Sequence, residues 1–354
     1  MSLFDRDKSA ERMPVSLITG FLGSGKTTLL NKLLRHPGMA DSAVIINEFG
    51  EVSLDHLLVE QVEGEIAVLA SGCVCCTMRS DLEETLRALL AKRDRAEVPL
   101  FARVLVETTG LADPAPIVQL LLNNPLLSHF VRLDTVVTTM DAINAERQLG
   151  AQPEAVKQVA IADRLLLTKT DLGTAEATAR LRERLAHLNP GATIETVQFG
   201  EIDPARLFGA ALFDPERKSA DVRRWLNETA YDVHGSDHHH HAHGEHERDI
   251  EAFCMIFGEP LDWMTVSAWL GALRRERGES LLRVKGILNL AGESAPVAIH
   301  GVHHVFHPPV LLHAWTDDDR RSRIVFITRG LTRREVEESW RMICAQTERS
   351  AASA

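Results

Sequence analysis

An eight-residue segment, Gly20-Phe21-Leu22-Gly23-Ser24-Gly25-Lys26-Thr27, follows an apolar run at 15–19 and precedes the leucine-rich stretch Thr28-Leu29-Leu30-Asn31-Lys32-Leu33-Leu34. This is the spacing G-x-x-x-x-G-K-[ST] set between a strand and a helix, the context in which the pattern has physical meaning. Glycines let backbone N–H groups approach an anion closely, and the start of the next helix adds its own donors. The segment is expected to bind a nucleoside triphosphate. Gly20, Gly23, Ser24, Gly25 and Thr28 would cradle the phosphates, Lys26 would reach the β- and γ-phosphates as one catalytic candidate, and Thr27 would coordinate Mg²⁺.

The loop also dictates its surroundings. Apolar runs at 43–47, 66–70, 103–107, 133–140, 163–167 and 193–197 alternate with helical patterns. That alternation predicts a doubly wound α/β fold with a mostly parallel sheet and helices on both faces. Ligands in such sheets bind beyond the carboxyl ends of the strands, where this loop and the loops after Asn47, Ala70, Glu107 and Leu167 all emerge. The stretch 232–248 is rich in His, Gly and acidic residues and has no hydrophobic period, so it reads as a linker. Beyond it, strand-like runs at 250–258, 281–290, 297–306 and 323–328, a helix over 261–277 and a last helix starting at Thr332 describe a small α+β domain. The expected plan is a nucleotide domain over 13–210, a linker over 211–248 and a C-terminal domain over 249–345.

The 354 residues carry 45% hydrophobic and 25% charged side chains, enough for two cores. A net charge of −11 argues against nucleic acid as the main partner, because phosphate backbones require a basic footprint. No apolar run reaches membrane-spanning length, and the charged start of the chain lacks a signal segment, so a cytoplasmic setting without membrane association is expected.

Two further segments concern the nucleotide. Val104-Leu105-Val106-Glu107-Thr108-Thr109-Gly110 is an apolar strand ending in an acid, with a glycine three residues on. From this position a carboxylate supports Mg²⁺ and senses the γ-phosphate, which makes Glu107 the second catalytic candidate. Thr168-Lys169-Thr170-Asp171 is similar to the guanine element N-K-x-D. The Asp171 carboxylate can accept from both guanine N1–H and its amino group, a pair of donors that adenine lacks, so GTP is favoured over ATP. Thr168 stands where Asn is usual.

Three of the five cysteines lie in Cys73-Val74-Cys75-Cys76. In a reducing compartment such a cluster reads as a soft-metal site, with a redox pair or an incidental buried cluster as the plainer alternative. A single Zn²⁺ held by three thiolates needs a fourth ligand, for which Glu48 and Glu51 are candidates. His234, the run His238-His239-His240-His241, His243 and His246 suit weak capture of Zn²⁺, Ni²⁺ or Co²⁺. His300, His303, His304 and His307 alternate within a strand-like run and are expected at exposed sheet positions.

Taken in order, 20–28, 47–51, Gly72-Cys73-Val74-Cys75-Cys76, Glu107-Thr108-Thr109-Gly110-Leu111-Ala112-Asp113-Pro114 and 168–171 resemble the CobW family of P-loop GTPases over nearly the whole chain. The resemblance implies GTP hydrolysis coupled to transition-metal handling, usually zinc, and delivery to a client metalloprotein. By matched position it puts the metal on Cys73, Cys75 and Cys76, close to the nucleotide. Expected partners are therefore GTP, a transition-metal ion and a client metalloprotein, with a homodimer as a further option. A zinc buffer or sensor whose nucleotide site only gates conformation, or a cobalt-handling relative, are the alternative functions.

Overall fold

The computed structural model describes residues 2, 4, 5, 11–47, 68–71, 78–209, 231, 249–315 and 318–352. They form two compact units, one made of Ser9–Ala186 with Ala192–Ala211, the other of Met1–Lys8, His187–Gly191 and Leu212–Ala354.

The first unit is built by β1 (Met13–Gly20), α1 (Lys26–Leu34), β2 (Ser42–Asn47), β3 (Val68–Ser71), α2 (Met78–Asp94), β4 (Arg103–Thr108), α3 (Ala115–Asn123), β5 (Val131–Asp141), α4 (Ala145–Ala151), α5 (Pro153–Ala160), β6 (Arg164–Thr168), α6 (Ala175–Leu188), β7 (Thr193–Thr196) and α7 (Pro204–Leu207). The strands form a seven-stranded sheet in the order β3-β2-β4-β1-β5-β6-β7. Every pairing in it is parallel. The chain leaves β1 toward β2 and β3, returns to insert β4, then crosses to β5 on the other side of β1. That reversal puts a topological switch point at β1, and the crevice it creates opens at the carboxyl ends of β1, β4 and β5.

Continuous apolar strands are what a sheet buried on both faces requires, and β4, β5 and β6 are almost wholly buried. α1 is fixed by its own spacing. Leu29, Leu30, Leu33 and Leu34 recur on one face of the helix and pack with Ile18, Val44, Leu105, Val137 and Leu166 from five strands. Each such leucine contributes roughly 2 kcal/mol of burial before entropy is counted. The helix that begins the phosphate loop is thereby locked onto the middle of the sheet.

The second unit contains β8 (Ile250–Phe257), α8 (Trp263–Arg277), β9 (Leu281–Leu288), β10 (Val297–Val302), β11 (Val305–Phe306), β12 (Val310–Leu311), β13 (Ser322–Arg329) and α9 (Arg333–Ala352). Its sheet runs β11-β10-β9-β13-β8, with β12 also on β10, and is antiparallel. Trp269 of α8 is fully buried between Phe326 and Trp340, and its indole N–H donates to Ser339 Oγ at 2.8 Å.

Two expectations for this unit are corrected. The run at 297–306 is a hairpin rather than one strand, turning at His303 and His304. His300 and His303 are buried, each 5% exposed, rather than on an open sheet face. Both faces of this sheet are covered: Ala298, His300 and Val302 of β10 and Arg283, Lys285 and Ile287 of β9 are all buried opposite the apolar core face. Alternation along a strand then no longer separates inside from outside.

Candidate functional site

The loop after β1 reverses into α1 through Gly20, Gly23 and Gly25, all with positive φ. A Cβ at Gly20 would lie 2.4 Å from the Thr139 carbonyl oxygen, so only glycine lets the loop start this close to β5. The loop is then tied down. Ser24 Oγ shares a 2.7 Å hydrogen bond with Thr139 Oγ1, and Lys26 Nζ donates to the carbonyls of Gly20 at 2.9 Å and Phe21 at 3.3 Å. These bonds curl the Lys26 ammonium, 8% exposed as a residue, over the concave side of the loop.

Thr27 Oγ1 donates to Glu107 Oε1 at 3.1 Å, and Glu107 is 5% exposed at the end of β4. The register puts Glu107 opposite Ile18 of β1 and Ile46 of β2, which is why an acid at this strand end arrives beside the loop. A hydroxyl and a carboxylate oxygen side by side are hard donors of the kind Mg²⁺ takes, so the residues fit that ion. After Glu107 the chain turns through Thr108, whose hydroxyl donates to Thr19 Oγ1 at 2.8 Å, and passes Gly110 against Leu22. This turn is held from below by α5: Gln158 Nε2 donates to the carbonyls of Gly110 at 3.3 Å and Ala112 at 3.1 Å, and Lys157 Nζ meets Asp113 Oδ2 at 2.6 Å.

The 168–171 segment closes the other side. Thr168 Oγ1 donates to the Ser24 carbonyl at 2.8 Å and the Met140 carbonyl at 3.2 Å. Lys169, in the left-handed region at φ 57°, donates from Nζ to the Gly23 carbonyl at 2.7 Å and to Asp141 Oδ2 at 2.8 Å. Asp141 is buried at the end of β5. Burial raises its carboxyl pKa, but the hydrogen bonds from Lys169, Asn144 and the Ile143 amide, together with the Lys169 charge, outweigh it and hold the group below its ordinary value. Asp171 is exposed and bonds to no other described residue.

These segments enclose a cavity of about 370 Å³ lined by Gly23, Lys26, Thr27, Glu107, Thr109 and Lys169 among others. The structure thus brings together Gly20, Gly23, Ser24, Gly25, Lys26, Thr27, Thr28, Glu107 and Lys169, with Asp171 two residues beyond Lys169. Glu48, Glu51, Cys73, Cys75, Cys76 and the histidine-rich stretch 232–248 lie outside the described residues. Among the described residues no group of three or more His, Cys, Asp or Glu side chains is placed to hold a metal ion. Sequence reading missed Asp141 and Gln158. Asp141 carried the same signal as Glu107, an acid at the end of an apolar strand. Gln158 carried none, since a glutamine inside a helix acquires its task only through packing.

Comparison with known proteins bears on this geometry. Residues 14–196 match the CobW/HypB/UreG nucleotide-binding domain, and residues 250–344 match the cobalamin synthesis protein CobW C-terminal domain. The chain is 36% identical to the zinc chaperone YjiA of Escherichia coli K12, over 92% of this chain and 97% of that protein. It is 29% identical to the zinc-regulated GTPase metalloprotein activator 1 of Schizosaccharomyces pombe, over 94% of this chain and 86% of that one. The crystal structure of Zn(II)-bound YjiA GTPase superposes with a TM-score of 0.70 at 31% identity, covering 94% of this chain and 99% of that one. With a glycine-rich loop, an acid-ended strand and the 168–171 segment converging on one crevice of this sheet, the chain belongs to the CobW/HypB/UreG family of nucleotide-binding proteins and carries the CobW C-terminal domain as well.

Proposed function

We propose that this protein is a GTP-hydrolysing zinc chaperone, acting in the cytoplasm and passing its metal to a client metalloprotein, with a homodimer as one working form. The observation that carries the reading is the convergence of three segments far apart in the chain, 20–28, 107–110 and 168–171, on one cavity. The metal half is supported by the thiol triplet in the sequence and by the names of the relatives, a zinc chaperone and a zinc-regulated GTPase activator. The plan of a GTPase domain at 13–210, a linker at 211–248 and a C-terminal domain at 249–345 belongs to the same reading.

Phosphoryl transfer asks a protein mainly for position and countercharge. The glycine loop and the first turn of α1 bind the phosphates through backbone N–H groups. Lys26 exchanges its carbonyl partners for β- and γ-phosphate oxygens and offsets the charge that builds up there. Thr27 and Glu107 would hold Mg²⁺, which when bound neutralises phosphate charge. Lys169 braces the loop against Asp141, and the Asp171 carboxylate receives the guanine N1–H and amino group. Cys73, Cys75 and Cys76, with Glu48 or Glu51, would take up Zn²⁺ as cargo.

Calorimetry with GTP and ATP tests the nucleotide assignment. Losing the bonds to Asp171 should cost about 1.5–3 kcal/mol, so GTP should bind more than roughly tenfold tighter than ATP and Asp171→Asn should erase most of that preference. Equal affinities in the unmodified protein would sink the assignment.

A further inference from the structure

The loop that follows β7 breaks a rule of turn chemistry. Gln198 and Glu201 bridge antiparallel, and the Glu201 N–H donates to the Gln198 carbonyl at 2.9 Å, so Phe199 and Gly200 are the two central residues of a tight turn. Both have positive φ, 53° for Phe199 and 76° for Gly200. Two successive positive values are the mark of a type I′ turn, whose first central position takes Asn, Asp or Gly and rarely a bulky side chain. Here it holds a phenylalanine that is 73% exposed. A residue that neither suits its backbone nor contributes to the core is the kind of local conflict that marks a functional position.

The turn's location says which function. The Val197 N–H donates to the Leu167 carbonyl at 2.8 Å, so the chain leaves β7 level with the start of the 168–171 loop. Gly200 presses on α1: a Cβ there would fall 2.8 Å from the Thr28 carbonyl oxygen and 3.1 Å from Leu29 Cα. Lys32 Nζ reaches Glu201 Oε1 at 2.9 Å and fastens the turn one helical turn further along. Phe199 thus sits between Val197, bonded to the strand end that leads into the 168–171 segment, and Gly200, which packs on the Thr28 backbone; Thr28 and Lys169 in turn line the cavity. Once a triphosphate fills the loop at 20–27, that end of the cavity is left for the base.

The geometry points to Phe199 as an aromatic platform on which the purine of the bound nucleotide stacks, with Asp171 reading the base's edge. The inference rests on the nucleotide reading of the cavity. A purine presents a flat face to an aromatic ring whatever its substituents, so stacking contributes affinity without choosing between bases. Phe199 and Asp171 therefore divide the work: one sets how tightly any purine nucleotide binds, the other sets which.

Affinities of the full-length protein for GTP, GDP, ATP and inorganic tripolyphosphate test this, comparing Phe199→Asn, Phe199→Ala and Phe199→Trp with the unmodified chain. Asn suits the turn, so Phe199→Asn should melt no lower than the unmodified protein. It should nonetheless bind GTP, GDP and ATP roughly 5- to 100-fold more weakly, with tripolyphosphate binding and the GTP-to-ATP ratio unchanged. Phe199→Ala should do the same, and Phe199→Trp should restore purine binding. Unchanged GTP affinity in Phe199→Asn would overturn the proposal, as would a parallel loss for tripolyphosphate, which would make the ring a prop for α1. Asp171→Asn separates the two readings: an unaltered GTP-to-ATP ratio there defeats base selection by Asp171, while a purine-specific loss in Phe199→Asn still supports stacking.

Discussion

Thr168 stands where the N-K-x-D pattern has Asn, and its hydroxyl donates to the Ser24 carbonyl, tying the 168–171 segment to the 20–27 loop. Thr168→Val keeps the shape and removes the donor, leaving a buried carbonyl short of a partner. Its stability in chemical denaturation should fall by about 1–2 kcal/mol, with weaker GTP binding, and Thr168→Ser should preserve both. Asp141 supplies a pH dependence. Its folded-state pKa is depressed, so the stability it contributes is present above the unfolded value near 3.9 and is lost as pH falls below that value. Asp141→Asn should be less stable by about 2 kcal/mol near neutrality, and the melting temperatures of the two proteins should converge as the solution is acidified. That Lys26, Thr27, Glu107 and Lys169 come together at one cavity was legible from their motifs' fixed spacing, whereas Asp171 does not line it. Phe199 was not legible, because its significance lies in a backbone angle that no residue pattern records.

At the scale of elements, the turn after β4 touches the 20–27 loop on one side and α5 on the other. A Cβ at Gly110 would lie 2.6 Å from the Leu22 backbone nitrogen, and that neighbour is itself part of the cradle. Gly110→Ala should push the two loops apart and lower GTP turnover on the order of 10²-fold, as small misplacements of reacting groups do, with the fold intact by circular dichroism. The seven strands of the parallel sheet were readable because buried parallel strands are uninterrupted apolar runs, and their bounds moved by no more than two residues at either end. The β10–β11 hairpin was not, since its turn is made by His303 and His304 with none of the usual Gly or Asn, His303 taking a left-handed conformation at φ 53°. The start of α9 was marked at Thr332, which with Glu335 forms a capping box in which the Thr332 N–H donates to Glu335 Oε2 at 2.8 Å and the Glu335 N–H to Thr332 Oγ1 at 3.3 Å.

For the whole molecule, the account joins a nucleotide cavity to a thiol site encoded between β3 and α2. Deleting the histidine-rich stretch 234–246 should leave one tight zinc site and GTP turnover unchanged while lowering the number of weakly held ions, as equilibrium dialysis would count them. The central claim is that nucleotide state controls the metal. Asn47, Ser71 and Thr108 end neighbouring strands that pair in register, β2 with both β3 and β4, and Glu48 and Cys73 follow Asn47 and Ser71 by one and two residues in the sequence. A loop ordered by the γ-phosphate alters what its neighbours bind. Linkage then requires GTP to change zinc affinity by the same factor that zinc changes GTP affinity, typically 5- to 150-fold, or roughly 1–3 kcal/mol. The direct test is a competition titration of the full-length protein against a zinc chelator of known affinity, with a nonhydrolysable GTP analogue in one arm and GDP in the other. The account predicts zinc affinities that differ between the arms by at least about fivefold, and a Cys75→Ser variant that binds GTP normally but has lost the effect of zinc upon it. Identical zinc affinities in the two arms would contradict it.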